Sequence, residues 1–519
     1  MSITFTFNLV DEPWIPCLDA NGRSRILNLP DLFAQAHQLR QLQGESPLVT
    51  AALHRFLLAI LHRVFGPAAH EDWEDLWQAE AWPLAELNRY FDAWHGRFDL
   101  FATERPFYQA TDERVKAKSI INLNHDRASG NNPTFFDHHT EAVGESLTPA
   151  QAARTLITMQ AYGLAGLSGI PKNNFSDGTC AGGILFLVTG ETLKETLLLN
   201  MGLYPPDNDF FEVHSAQDKP AWEMDTPFVP NRNIPFGYLD YLTWQNRQIM
   251  LLPEEVNGRL VVRQMTMGPA LQFDSSLLDP MKHYRPDKKL GHVAISFSEN
   301  RVLWRDSATL LQFHADKSGN HLPPATLRWI NELVDDTYLA AQALYQLTAL
   351  GMSKKQAKVN FYRAEQLPLP LAYFDDEKLV NRLQDALIWA DTLAFNLLVA
   401  LRRMGIYLQE ADADNKKWGE LNSNTKSSIN DWVAYTGSER HFWTTLDFPF
   451  QKLVVDLPQD AIPALADWRI ALQNAANDAF QQATNYVGED GRSFKAIVRG
   501  ESYLRYRINE LFPKKETTV

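Results

Sequence analysis

Between Gly351 and Arg363 the chain carries Lys354, Lys355, Lys358 and Arg363 and no carboxylate, a net of +4 inside an acidic protein. Lysines at this density suit phosphate, and Gln356 among them brings an amide able to read or wedge against a base pair. The same run also suits a solvated, lysine-rich turn. A second stretch, Ser129–Asp137, holds Asn131 and Asn132 beside the adjacent rings of Phe135 and Phe136. Amides on phosphate with a ring stacked on a base would make it a nucleic-acid loop, while two aromatics anchoring a loop to the core is the plainer alternative. A third, Asn173–Gly183, contains Gly178, Thr179, Gly182 and Gly183 ahead of an apolar run. Glycines let backbone approach a ligand closely, and a turn before a strand needs them too.

Further basic residues are grouped late in the chain. Gly491–Lys515 sets Arg492, Lys495, Arg499, Arg505, Arg507, Lys514 and Lys515 against Glu501 and Glu510, a net of +5. Helical spacing places Arg492, Lys495 and Arg499 on one face, which either tracks a DNA strand or faces solvent. Asp279–Lys289 is similar, with Lys282, Arg285, Lys288 and Lys289 against Asp279 and Asp287. His125, His138 and His139 lie near Asp126 and Asp137. They offer a metal-dependent hydrolase reading. A solvated loop fits better, since adjacent histidines seldom both face one ion. No GxxxxGK[ST], HExxH or GxSxG pattern is present, and Gly166-Leu167-Ser168-Gly169 has the wrong spacing for the last. Nothing here invites an enzyme or a cofactor.

These residues need scaffolding, and 519 residues suggest several cores. Ile3–Val10 alternates as a half-buried strand does. Ala51–Phe65 reads as a buried helix, Thr148–Ala165 as a helix behind a Thr148/Gln151 capping box, and Gly182–Val188 as a strand. Pro368 and Pro370 punctuate the chain. Beyond them Leu379, Leu383, Leu387, Ala390, Ala394, Leu397 and Leu401 form one helical stripe. Three more helical stretches follow: Asn424–Val455 with an irregularity near Pro449, one from Leu465 to Ala483, and one through Phe494, Val498, Leu504, Ile508 and Leu511. The expected fold is α+β, with a large mixed α/β domain over 1–367 and an antiparallel four-helix bundle over 368–519. Two cysteines, Cys17 and Cys180, exclude a disulfide framework or a four-cysteine zinc site and suit the cytoplasm. Neither a signal peptide nor a transmembrane helix is expected. Forty-nine basic against 63 acidic residues give −14, which argues against a freestanding DNA binder unless positive charge is concentrated locally or partners supply it.

Asn8–Pro16, with its Trp14-Ile15-Pro16 turn, resembles the opening of the CasA family of CRISPR proteins. Leu57–Arg63 looks like that family's first long helix, and Arg105-Pro106-Phe107-Tyr108-Gln109 is similar to its next segment; the order is collinear with a four-helix ending. The resemblance implies a non-catalytic large subunit of a type I-E Cascade complex, with other Cascade subunits and crRNA as partners. Such a subunit inspects double-stranded DNA for the protospacer-adjacent motif (PAM), helps open the duplex for guide pairing and helps recruit a helicase–nuclease. It places an aromatic-tipped loop on Phe135, Phe136 and Asp137, a glycine loop on about Asp177–Gly183, and a glutamine wedge at a hairpin end on Lys354, Lys355 and Gln356. Lys282, Lys288, Lys289, Lys358, Arg492, Lys495 and Arg499 are then the candidates for non-specific backbone contacts. The family's loop commonly ends Phe-Val-Asn, and an acid such as Asp137 beside phosphate is unfavourable unless it faces a partner protein. Arg263 and Gln264 are the candidates for the family's PAM-contacting lysine. A purely architectural subunit is the other alternative.

Overall fold

The computed structural model describes residues 5–124, 145–204, 217–229, 231–274, 276–299, 302–310, 321–355, 358–410, 414 and 416–513, apart from the side chains of 306, 308, 309 and 375. The chain divides into two units. One takes the residues up to Leu303 together with Phe313–Ala340 and Tyr345–Leu367; the other takes Pro368–Val519 together with two short segments, Trp304–Gln312 and Ala341–Leu344.

The first unit begins with a small antiparallel sheet, order β2-β1-β3, of β1 (Ile15–Asp19), β2 (Ser24–Leu27) and β3 (Leu39–Leu42). Helix α1 (Leu29–Gln35) comes between β2 and β3, and α2 (Pro47–Val64), α3 (His70–Gln78) and α4 (Leu84–Trp94) follow β3 along the chain. The expected strand at Ile3–Val10 does not form over its described part; Asn8 makes a single bridge to Asp99. The Asn8 side chain instead accepts from the Val10 amide at 2.9 Å, and the Trp14 indole donates to the Leu9 carbonyl at 2.9 Å, so the chain turns where alternation suggested extension.

Helix α2 starts as its sequence dictates, with Ser46 capping Val49 N and Pro47 at the first position. Apolar on nearly every side, it is long and apolar enough to cross a bilayer, yet it runs buried through this unit's core. The short strand β4 (Lys118–Ser119) precedes α5 (Pro149–Tyr162), which opens on the expected Thr148/Gln151 capping box. After it come the buried strand β5 (Ile184–Thr189), α6 (Leu193–Leu199), α7 (Tyr238–Leu242), the long hairpin β6 (Arg247–Val256)–β7 (Arg259–Pro269), and the short hairpin β8 (Tyr284–Asp287)–β9 (Gly291–Ala294). The small helix α8 (Ser307–Leu310) belongs to the second unit and α9 (Ala325–Asp335) to the first. Strands β10 (Leu344–Lys355) and β11 (Lys358–Pro370) join β5 in an antiparallel sheet ordered β11-β10-β5.

The second unit is a helical bundle. It comprises α10 (Ala372–Asp375), α11 (Glu377–Gln409), α12 (Ser423–Thr436), α13 (Ser438–Thr445), α14 (Asp447–Asp456), α15 (Ala461–Thr484) and α16 (Gly491–Leu511). Helix α11 buries the expected stripe, although Leu393 rather than Ala394 takes the fully covered position. The second helical stretch is broken into α12–α14 at Gly437, which sits at φ +65, and at Leu446. The irregularity expected near Pro449 is the second of these breaks: α13 ends at Thr445 and α14 restarts at Asp447, which puts Pro449 in a first turn where its missing N–H has no partner within the helix to lose. Helix α16 also differs from expectation. Phe494 and Val498 are exposed, and the helix buries its small face of Ser493, Ala496 and Gly500. A Cβ on Gly500 would stand 3.1 Å from the Ala400 carbonyl, so these two backbones approach too closely for the apolar stripe to lie between them.

Candidate nucleic-acid interface

Three predicted segments of the first unit share one root. The glycine loop is pinned through its backbone: Gly178 N donates to Gly163 O at 2.7 Å, Cys180 N to Ala161 O at 2.9 Å, and Gly166 and Phe175 exchange hydrogen bonds of 3.2 and 2.9 Å. A Cβ on buried Gly178 would fall 2.4 Å from the Ala161 carbonyl. Gly183 has φ +91 and faces Ala294 of β9, where a Cβ would meet another at 2.6 Å. Gly351 of β10 pairs with Ile184, and its own missing Cβ would lie 2.9 Å from Gly183 O. The glycine loop, the β8–β9 hairpin and the β10–β11 hairpin therefore all meet at Gly183 and Ile184.

Gly182 is the exposed member of the loop, with open space where a side chain would go. That difference yields a prediction. Gly183→Ala combines strain at positive φ with overpacking and lowers stability by about 2–4 kcal/mol, read from the denaturant midpoint. Gly182→Ala leaves that midpoint within about 0.5 kcal/mol; equal losses in the two variants contradict this assignment of the glycines.

A buried arginine shapes the loop from below. Arg247 donates to Ser176 O at 2.8 Å and Leu164 O at 2.7 Å, and lies over the Phe175 ring at 4.5 Å. Burial draws its pKa down to about 10, against the opposing pull of Asp177. Asp177 accepts from Ala165 N at 2.8 Å through one oxygen and pairs with Lys354 through the other. The hairpin lysine and the glycine loop are thus tied by an ion pair, and Lys354 is not a free phosphate ligand. Lys355 and Lys358, at the facing ends of β10 and β11, are exposed. Arg363 is paired with Glu365 at 3.0 Å and stacked over Phe361.

Lys282 must be removed from the backbone-contacting set. It is buried, with its ammonium donating to Thr179 O at 2.6 Å; burial lowers its pKa and nearby Asp279 opposes that. Below it lies a buried ionic centre that sequence reasoning missed. Arg55 of α2 meets Asp279 at 2.9 Å, Tyr241 donates to the same carboxylate oxygen, and Tyr284 Oη accepts from Asp279 N at 2.6 Å. Burial opposes both charges, and their mutual attraction prevails, so Arg55 is shifted up and Asp279 down. Lys288 and Lys289, by contrast, are exposed in the β8–β9 turn.

In the second unit Arg492, Lys495 and Arg499 do share one exposed face of α16. Their charge is partly occupied: Lys495 and Arg499 pair with Asp414, and Arg492 donates to Tyr407 O at 2.8 Å. In the first unit Arg263 faces Glu254 at 3.6 Å across the β6–β7 hairpin, and Gln264 is exposed. Asn131, Asn132, Phe135, Phe136, Asp137, Gln356 and the histidines His125, His138 and His139 lie outside the described residues. Among the described residues no three His, Cys, Asp or Glu side chains form a metal-binding group. Asp177 had one signal in the sequence, being the sole acid of its glycine-rich loop; Arg247 and the Arg55–Asp279 pair had none.

Residues 8–479 match the family model of the CRISPR-associated protein Cse1. The chain is 32% identical to CRISPR-associated protein CasA/Cse1 of Thermus thermophilus, covering 97% of this chain and 98% of that one. The crystal structure of Thermus thermophilus CasA is similar with TM-score 0.75 at 28% identity, covering 98% and 100% of the two chains. Cse1 from Acidimicrobium ferrooxidans shares the fold with TM-score 0.82 at 23% identity over 98% and 99%. A chain of a CRISPR RNA-guided surveillance complex shares it with TM-score 0.73 at 22% identity over 96% and 99%.

Proposed function

The chain belongs to the CRISPR-associated Cse1 (CasA) family, and from that premise we propose that it is the non-catalytic large subunit of a crRNA-guided Cascade complex, which reads the PAM in duplex DNA and starts its opening. On this reading its partners are crRNA, the other Cascade subunits, duplex DNA and a helicase–nuclease recruited afterwards, all in the cytoplasm. The observation that carries it is the convergence at Gly183: the exposed glycine Gly182, the exposed Lys355 and Lys358 and the exposed Lys288 and Lys289 all extend from one buried anchor. A module of this kind needs only a few contacts to a short duplex motif, because guide pairing supplies sequence identity. A net charge of −14 is then no obstacle, since local lysines meet phosphate and the assembly supplies the rest of the positive channel.

The test is a gel shift with the assembled, guide-bearing complex on targets of varied PAM. Lys354/Lys355/Gln356→Ala should weaken target binding by roughly tenfold or more and flatten the salt dependence by about one unit of log–log slope, the share of Lys355, since Lys354 is already paired with Asp177. Unchanged binding and an unchanged slope would overturn the assignment.

A further inference from the structure

A lone exposed leucine carries no message by itself, but Leu290 is placed unusually. It is 75% exposed in the three-residue turn between β8 and β9, directly after Lys288 and Lys289 and five residues after exposed Arg285. The turn is rigid. The Asp287 carboxylate accepts from the amides of Lys289 at 2.8 Å and Leu290 at 3.0 Å, and Gly291 closes the turn at φ +73. Asp287, the one acid in the turn, is thereby engaged by backbone N–H groups rather than by the lysines. Below the turn, Ala294 packs on Gly183 and Ile295 O accepts from Ile184 N at 2.9 Å, so the hairpin stands on the anchor shared by the glycine loop and the β10–β11 hairpin.

We propose that Leu290 is an apolar wedge that enters the base stack of target DNA while Lys288 and Lys289 hold the adjoining phosphates. This rests on the duplex-reading function above and adds to it a second opening element, distinct from the Gln356 hairpin. Aliphatic side chains used in this way partly unstack a base step, and cations beside them keep the deformed backbone in place. A rigid turn suits the task because the side chain is held out before DNA arrives and little ordering cost remains at contact.

The experiment uses the intact guide-bearing complex and a target with 2-aminopurine beside the PAM, whose fluorescence rises as the base unstacks. Leu290→Ala is expected to slow opening about tenfold and Leu290→Met to restore most of it. Capture of a target already held open by mismatches should stay within about twofold of the parent complex, since no unstacking is then required. An unchanged opening rate in Leu290→Ala overturns the proposal, as does equal loss on the pre-opened target. Poorer recovery of the Leu290→Ala subunit with the complex also overturns it, in favour of a protein contact. If the parent complex itself neither binds nor opens duplex, the function assigned above fails and the wedge with it.

Discussion

Asp279→Ala will cost the first unit about 3–5 kcal/mol, because it strands a buried guanidinium. Arg55 is 2% exposed, and its Nε and Nη2 atoms already lack hydrogen-bond partners among the described residues, so Asp279 is its principal compensation. The same deletion removes the acceptor of the Tyr241 hydroxyl and the negative charge that steadies the Lys282 ammonium under Thr179. Amide hydrogen exchange along α2 and β5 should accelerate together, and the effect should reach the glycine loop. Arg55→Met/Asp279→Leu should recover part of the loss, since the guanidinium is no longer stranded and only Lys282, still bonded to Thr179 O, is left without its carboxylate. A single variant as mild as the double would show that the pair is not the keystone described here.

The second large effect is acid sensitivity. His54, His62 and His283 are buried, and burial lowers their pKa values from 6.5 to about 4, about 3 and about 4; the Thr50 carbonyl partly offsets this for His54, and neighbouring His321 adds to it for His283. The folded chain keeps these imidazoles neutral where the unfolded chain protonates them. Stability is therefore complete above pH 6.5 and drains as pH falls from there towards the folded pKa values. Each histidine contributes a loss of about 2 kcal/mol between pH 7 and pH 5, roughly 6 kcal/mol for the three. That is a large share of a typical domain's stability. Urea unfolding at the two pH values checks it. His62→Phe keeps the edge-on packing against Tyr238, whose ring lies 5.1 Å away, and should reduce the loss by about one third. An identical pH dependence in parent and variant would refute the assignment.

Much of the scaffold was legible because it is local. The Thr148/Gln151 box, the α2 run and the α11 stripe each express one helix's own spacing. What failed was set by partners distant in sequence. Phe494 and Val498 look like core until Ala400 and Phe480 come close enough to demand Ala496 and Gly500 instead. Lys282 carries the same composition signal as Lys288 and Lys289, but the Thr179 carbonyl, far away along the chain, and the buried charge of Asp279 draw it inside. The glycine loop was found from its composition. That it meets two hairpins at one place depends on pairing between residues more than 110 positions apart, which no local pattern encodes.

Trp304 is fully enclosed within the second unit, stacked on Phe450 at 4.4 Å and edge-on to Trp468 at 6.4 Å, although it precedes Pro368 by more than sixty residues. A fragment excised as 368–519 would therefore carry an indole-shaped void at its heart, with Phe450 and Trp468 opened to water. Anyone wishing to produce the helical half alone should return the missing ring, by grafting the 304 segment through a designed linker or by supplying it as a peptide in trans.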